Sequence, residues 1–221
     1  VRPTFDVQTV MGTDENVGIR LNGALERGDN YRVNVEKDRF YINPSVAWKP
    51  NKKSEIILEM DYLHDSRTPD QGTVNLAVDS INAIYKMPND KFMGFKTDRS
   101  ITDATSYTAR YNRSLGNGYF FKAVYSGSDL SSQKFASLAS VLKSSAKDGD
   151  YNRRSRKFSG SKRDDKNQLF QFDFVGKDIH TGKIRHTFQL GVDFRTNFTA
   201  TQSTNSVTVD TIDVLKTIKN D

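Results

Sequence analysis

The chain contains no cysteine, so neither a disulfide framework nor a thiolate metal site organises it. Its three histidines, His64, His180 and His186, stand far apart in the sequence, and nothing in their spacing suggests the converging ligands that a metal site requires. With only 5 prolines, it has no proline-rich linker. No apolar run approaches the roughly 20 residues that a membrane-crossing helix needs. The chain begins at Val1 without a charged-then-apolar leader, so any signal peptide is expected to be absent or removed. A low mean hydropathy does not exclude a transmembrane barrel, however, because each lipid-facing residue there alternates with a lumen-facing polar one.

What is present is charge and a period of two. Charged residues make up 27% of the chain and the formal net charge is +6. The basic residues concentrate between Lys143 and Arg163, where serines are many and aromatics few. That composition reads as a solvated loop and not as a nucleic-acid surface. At 221 residues the chain is long enough to bury a core of its own.

The clearest alternation runs from Asn167 to Phe198. Phe170, Phe172 and Phe174 share one face with Phe188, Leu190, Val192 and Phe194, while Gln171, Asp173, Gln189 and Asp193 share the other. Lys177 to Lys183 lies between the two halves, so the stretch reads as a β-hairpin. Similar strands are expected over 5–11, 17–26, 40–48, 55–64, 106–115 and 119–125. Asn117-Gly118 is a strong hairpin signal, and Pro44 demands an edge, a bulge or a special context.

Short connections at 12–16, 50–54, 116–118 and 177–183 alternate with longer ones at 28–38, 65–104 and 126–166. An up-and-down meander therefore carries its short turns at one end and its long loops at the other. Greek-key sandwiches mix the two, whereas outer-membrane barrels sort them. The expected architecture is all-β: an antiparallel up-and-down transmembrane β-barrel contributing about eight strands of roughly ten residues each.

Several motifs, in order, then resemble TonB-dependent outer-membrane receptors of the ferric-siderophore (ferrichrome-receptor-like) class. They are Arg20, Leu21, Asn22 and Glu26; Arg39, Pro44, Ser45, Trp48, Lys49 and Pro50; and Arg67, Thr68, Pro69, Asp70 and Gly72. Lys91 to Gly94 follows the family's loop segment, although Phe95 and Lys96 replace its usual acid and proline. His186 to Arg195 and Thr211 to Leu215 resemble later strands. The resemblance accounts for Pro44 and implies a barrel of twenty-two strands, of which residues 1–221 form a partial barrel domain covering about the second to the ninth. Long extracellular loops are expected near 65–104 and 126–166, with the plug domain absent.

The implied role is TonB-dependent uptake of a ferric siderophore at the bacterial outer membrane, without enzyme activity. No cofactor is implied beyond the ferric siderophore as transported ligand. The partners are the TonB complex through the plug, the siderophore and outer-membrane lipid, with no nucleic acid. Two alternatives are a small eight-stranded outer-membrane barrel with a structural or adhesive role, and a soluble β-sandwich binding module.

Candidate substrate-binding residues lie in the long loops. The aromatics are Tyr31, Tyr85, Phe92, Phe95 and Tyr151, and the cations suited to an anionic ligand are Arg153, Arg154 and Arg156. Glu55, Glu59 and Asp61 share a strand face, which reads as a hydrated lumen wall and not as a catalytic carboxylate pair. Phe172, Phe174, Phe188, Leu190 and Val192 are expected to face lipid.

Overall fold

The computed structural model describes every residue except 78–80 and 148. One antiparallel sheet dominates it, with strands β1 (Thr4–Met11), β2 (Val17–Asp29), β3 (Glu36–Asn51), β4 (Ser54–Arg67), β5 (Arg99–Gly116), β6 (Tyr119–Val141), β7 (Arg153–Thr181), β8 (Ile184–Ser203) and β9 (Val207–Asp213). Neighbours in sequence are neighbours in the sheet from β1 to β8, and β9 also pairs with β7. β9 extends the line of β8: Thr204 N donates to Gly160 O at 2.9 Å, and β9 then pairs with β7 from Phe158 to Arg153. The meander thus has eight strand positions, the last broken at 204–206. Among the described residues no second sheet packs on this one, which removes the arrangement a sandwich requires.

The loop sorting is as the sequence implies. Turns at 12–16, 52–53, 117–118 and 182–183 close one end, while the described residues of 30–35, 68–98 and 142–152 occupy the other. Gly118 shows why the turn residues matter. Its φ is +82°, and a Cβ there would lie 2.2 Å from Lys177 O, the backbone of the adjoining hairpin. Gly118→Val is expected to cost about 3 kcal/mol or more, through strain at positive φ plus that clash. The heat-modifiable folded fraction of the full-length protein would measure it.

Two expectations need correction. The strands are not about ten residues long: β5, β6, β7 and β8 have 18, 23, 29 and 20 residues. The stretch 126–166, read as an unpaired connection, is mostly a hairpin, since β6 and β7 stay in register from Tyr119↔Gly176 to Val141↔Arg154. The physical reason is that apolar alternation marks only the part of a strand whose two faces differ in polarity, which in a membrane-spanning barrel strand is about 9–11 residues. Backbone pairing continues beyond it, where both faces are polar and no alternation is selected. Likewise β5 begins at Arg99, inside the stretch read as patternless.

Candidate functional site: two sheet faces and a loop clasp

Directly paired residues in an antiparallel sheet share a face, so the register extends the apolar stripe across the sheet. One row joins Val17, Trp48, Ile56, Tyr111, Ala123, Phe172 and Val192. Rings pack along this face, Tyr119 stacked on Phe174 at 5.6 Å and Tyr125 tilted against Phe170 at 4.4 Å between centroids. Phe172, Phe188, Leu190 and Val192 are exposed, and Phe174 is half-buried. The ten steps from Phe188 to Phe198, at about 3.4 Å each and tilted about 40°, rise about 26 Å, matching the apolar band of an outer-membrane barrel. Polar pairs cross the same face toward the long-loop end: His64 Nδ1 lies 2.7 Å from Asp103 Oδ1, and Lys166 Nζ lies 3.8 Å from Asp129.

The opposite face is a hydrogen-bonded polar wall. Arg20 Nε donates to Asp6 at 2.9 Å. Asp61 accepts from Tyr41 at 2.6 Å, Asn43 at 2.8 Å and Ser106 at 3.1 Å. Arg110 pairs with Glu59 at 2.9 Å, and Gln171 and Gln189 both donate to Asp173 at 2.9 Å. Carboxylates held this way have the structural role expected of a hydrated wall. Farther up, Asp65 sits between Arg39, at 2.6 Å, and Arg67, at 2.7 Å. Among the described residues no group of three His, Asp or Glu is placed to hold a metal.

Beyond the band, the buried apolar cluster of the chain sits in the loops. Leu76, Ala83, Met87 and Met93 from 68–98 pack with Ala139 of β6, Ile212 of β9 and Val214. The loop also protects the part of the β6 edge that β5 leaves open: Ser137 N donates to Asp98 Oδ2 at 3.0 Å, and Ala139 N to Gln71 Oε1 at 2.7 Å. Side-chain acceptors here do the work of a missing strand.

Arg156 is the node of this cluster. It is 1% exposed. Nε donates to Asp210 Oδ1 at 2.7 Å and Nη2 to its Oδ2, while the remaining donors reach Met93 O at 3.4 Å, Gly94 O at 3.3 Å and Lys219 O at 2.9 Å. Its guanidinium lies 3.9 Å from the centroid of the Phe95 ring. The Arg156 hydrogen bonds hold the Asp210 carboxyl below its ordinary pKa. A depressed carboxyl contributes its stabilisation above its unfolded pKa, about 3.9, and loses it as pH falls through the lower folded value. The clasp is therefore expected to stay shut at neutral pH and to release only under acid below about pH 4. Amide exchange of residues 91–98 across pH would show it, and release near pH 6 would contradict the assignment.

Of the residues proposed for ligand, Tyr31, Tyr85 and Arg153 are exposed, while Phe95 and Tyr151 are half-buried. Phe92, Arg154 and Arg156 are buried. Arg154 Nη2 donates to Asn75 O at 2.7 Å, but its Nε has no partner, and burial pushes its pKa down. The uninterrupted β6–β7 register puts Arg154 and Arg156 on the face of Phe170 and Phe172, away from the polar wall. Sequence reasoning missed Arg32, Asp98, Asp210 and Asn220. Arg32 Nη1 donates to Lys91 O at 2.7 Å, and its Nε lies 2.8 Å from Asp70, an ion pair too poorly aligned to be a hydrogen bond. Asn220 Nδ2 donates to Phe92 O at 3.0 Å and Gly94 O at 2.6 Å. No local pattern could reveal these, because each partner lies dozens of residues away.

An uncovered apolar face backed by a polar wall, with short turns at one end and long loops at the other, defines a segment of an outer-membrane barrel. No family model matches the chain. Among curated proteins, the metal-pseudopaline receptor CntO of Pseudomonas aeruginosa is 26% identical over 199 residues, 87% of this chain and 26% of its own. The ferrichrome outer membrane transporter and phage receptor of Escherichia coli K12 is 26% identical over 215 residues, 86% of this chain and 27% of its own. Among solved structures, the ferric-catecholate import receptor Fiu of E. coli K12 matches 96% of this chain and 32% of its own, with a TM-score of 0.80 at 21% identity. The ferric preacinetobactin receptor BauA of Acinetobacter baumannii gives a TM-score of 0.76 at 13% identity. The chain thus spans about a quarter of the length of the curated relatives it matches. Its homologues and structural neighbours are siderophore and metal receptors, transport proteins and not enzymes, and they bear out the family resemblance of its motifs.

Proposed function

We propose that this chain is barrel wall and external loops of a bacterial outer-membrane receptor that takes up a ferric siderophore. The observation that carries the reading is the continuous apolar face from β2 to β8 with a hydrogen-bonded polar face behind it. Such a surface is stable only where hydrocarbon meets one side and water or a polar domain the other. The curated relatives, one a metal-pseudopaline receptor and one a ferrichrome transporter, support uptake of a chelated metal. Coupling to the TonB complex through a plug domain is part of this proposal, as are the lipid contact and the external placement of 68–98 and 142–152. The ferric siderophore is cargo, and no resident cofactor is invoked.

The test is growth of a strain lacking the full-length gene, on single chelated iron sources, with and without complementation. Rescue on one ferric siderophore that also requires a functional TonB complex is expected; equal growth with and without the gene on every chelate would sink the reading. Among loop residues, Tyr85, 85% exposed, is open to cover a ligand, while Tyr31, 68% exposed, already engages Arg32 through its hydroxyl and its ring. Tyr85→Ala is expected to weaken chelate binding about 3- to 10-fold at unchanged receptor abundance, as read from titration of labelled chelate on whole cells.

A further inference from the structure

We infer that the chelate this receptor admits is negatively charged, and that a cationic, hydroxyl-lined strip on the inward face of the β6–β7 hairpin receives it; the inference rests on the receptor reading above. The strip follows from the register. The odd residues of β7 and the even residues of β6 share the face of the polar wall. Above the apolar band that face carries Lys134, Arg153 and Lys157, all exposed. Lys134 lies between Ser100 of β5 and Ser161 of β7, and Lys157 between Leu138 of β6 and Thr208 of β9. Neither lysine has a carboxylate as a direct cross-strand neighbour, and neither forms an ion pair among the described residues. Asp213, opposite Arg153, is turned instead toward Lys216 Nζ at 3.6 Å and Leu215 N at 3.0 Å.

The contrast with β1 to β5 on the same face decides the argument. There Arg20 faces Asp6, Lys37 faces Glu26, Arg39 and Arg67 share Asp65, and Arg110 faces Glu59. The wall neutralises these cations on β1 to β5, even at the level of Lys134, where Lys37 and Arg67 lie in the same cross-strand row, and leaves Lys134 and Lys157 unmatched on the upper β6–β7 hairpin. Successive cations lie about 13 Å apart along the hairpin, four residues at about 3.3 Å each. The strip is therefore a track some 26 Å long and not a single pocket. Serine and threonine hydroxyls at 100, 132, 159, 161 and 208 supply donors without adding opposing charge. Such a surface attracts anions over a Debye length and offers a neutral ligand no comparable gain. A merely solvated basic face would carry the same charges, so the discrimination between ligands is the test.

The experiment uses the full-length receptor in outer-membrane vesicles, with two radio-iron probes of similar size: a trianionic ferric tris-catecholate and a neutral ferric trihydroxamate. The wild type is expected to bind the trianion more tightly, with an affinity that falls as salt rises. The double variant Lys134→Glu with Lys157→Glu should lose about tenfold in affinity for the trianion and most of its salt dependence, with the neutral probe unchanged. Lys134→Gln with Lys157→Gln should give a smaller loss in the same direction. Preference for the neutral probe, an unchanged affinity for the trianion on charge reversal, or an equal loss for both probes would overturn the inference and leave the receptor reading intact. Failure to bind either probe would overturn both.

Discussion

Val192→Arg is expected to destabilise the folded full-length receptor in lipid by about 2 to 4 kcal/mol, the cost of a guanidinium near the bilayer midplane on a barrel exterior. Val192 lies in mid-strand, paired with Phe172, 49% exposed and uncovered by any described element. The adjacent Asp193→Lys, on the polar face opposite Gln171, should change stability by less than about 1 kcal/mol. A charge in a packed core would also be costly, so a third variant separates the cases. Val192→Phe should be nearly neutral against fluid acyl chains but cost about 1 to 3 kcal/mol if another layer of protein packed there. Refolding into vesicles, read by denaturant titration, measures all three. A strong loss with Val192→Phe would mean the apolar face is a protein core.

The second large effect is local. Arg156→Ala removes five hydrogen bonds and a ring contact, leaving Asp210, Met93 O and Lys219 O without this donor, while Gly94 O keeps Asn220 Nδ2. Breaking a fully buried ion pair costs about 3 to 5 kcal/mol. Here the Asp210 side chain is 39% exposed and can turn to water, so the loss is discounted to about 2 to 3 kcal/mol. It should fall on residues 91–98 and 214–221, not on the barrel, because Arg156 joins those segments to β7 and plays no part in the strand pairing lower down. Amide exchange and protease cutting confined to these segments would be the signature; uniform loss across the sheet would contradict the clasp. Arg156→Lys should not rescue it, since an ammonium cannot serve a bidentate carboxylate and three carbonyls together.

The clasp also bears on ligand access. Arg156 and Phe95, both plausible ligand contacts by composition, hold the loop to the hairpin. Tyr31, Tyr85 and Arg153, together with Lys134 and Lys157, are among the side chains open to solvent near the loops. Chelate binding should therefore respond to those five before it responds to Arg156, and an Arg156 variant that lost binding without losing loop protection would reverse that order.

Much of this protein is legible along the chain because its dominant constraint is local. A strand in a bilayer must alternate, and the two-residue period of FQFDF and FQLGVDF identifies both the strands and the face each presents. Turn chemistry is equally local: Asn117-Gly118 predicted its hairpin because positive φ favours those residues, and both adopt it, at 51° and 82°. The short and long connections together then implied the meander before any contact was known.

Tertiary structure decided what local pattern cannot carry. The hairpin β6–β7 runs far beyond its apolar stripe because backbone hydrogen bonding continues after the alternation has stopped. Residues 91–98 are held by partners remote in sequence: Asp98 by Ser137, Lys91 by Arg32, Gly94 by Arg156 and Asn220. The basic stretch from Lys143 to Arg163, uniform as a string of letters, divides into two faces only once the strand pairs. One face buries Arg154 and Arg156 to hold a loop, and the other pairs Arg163 with Asp165 but leaves Arg153 and Lys157 without an ion pair among the described residues. Composition supplied the charges; register determined which of them remain free, because paired neighbours share a face and alternate residues do not.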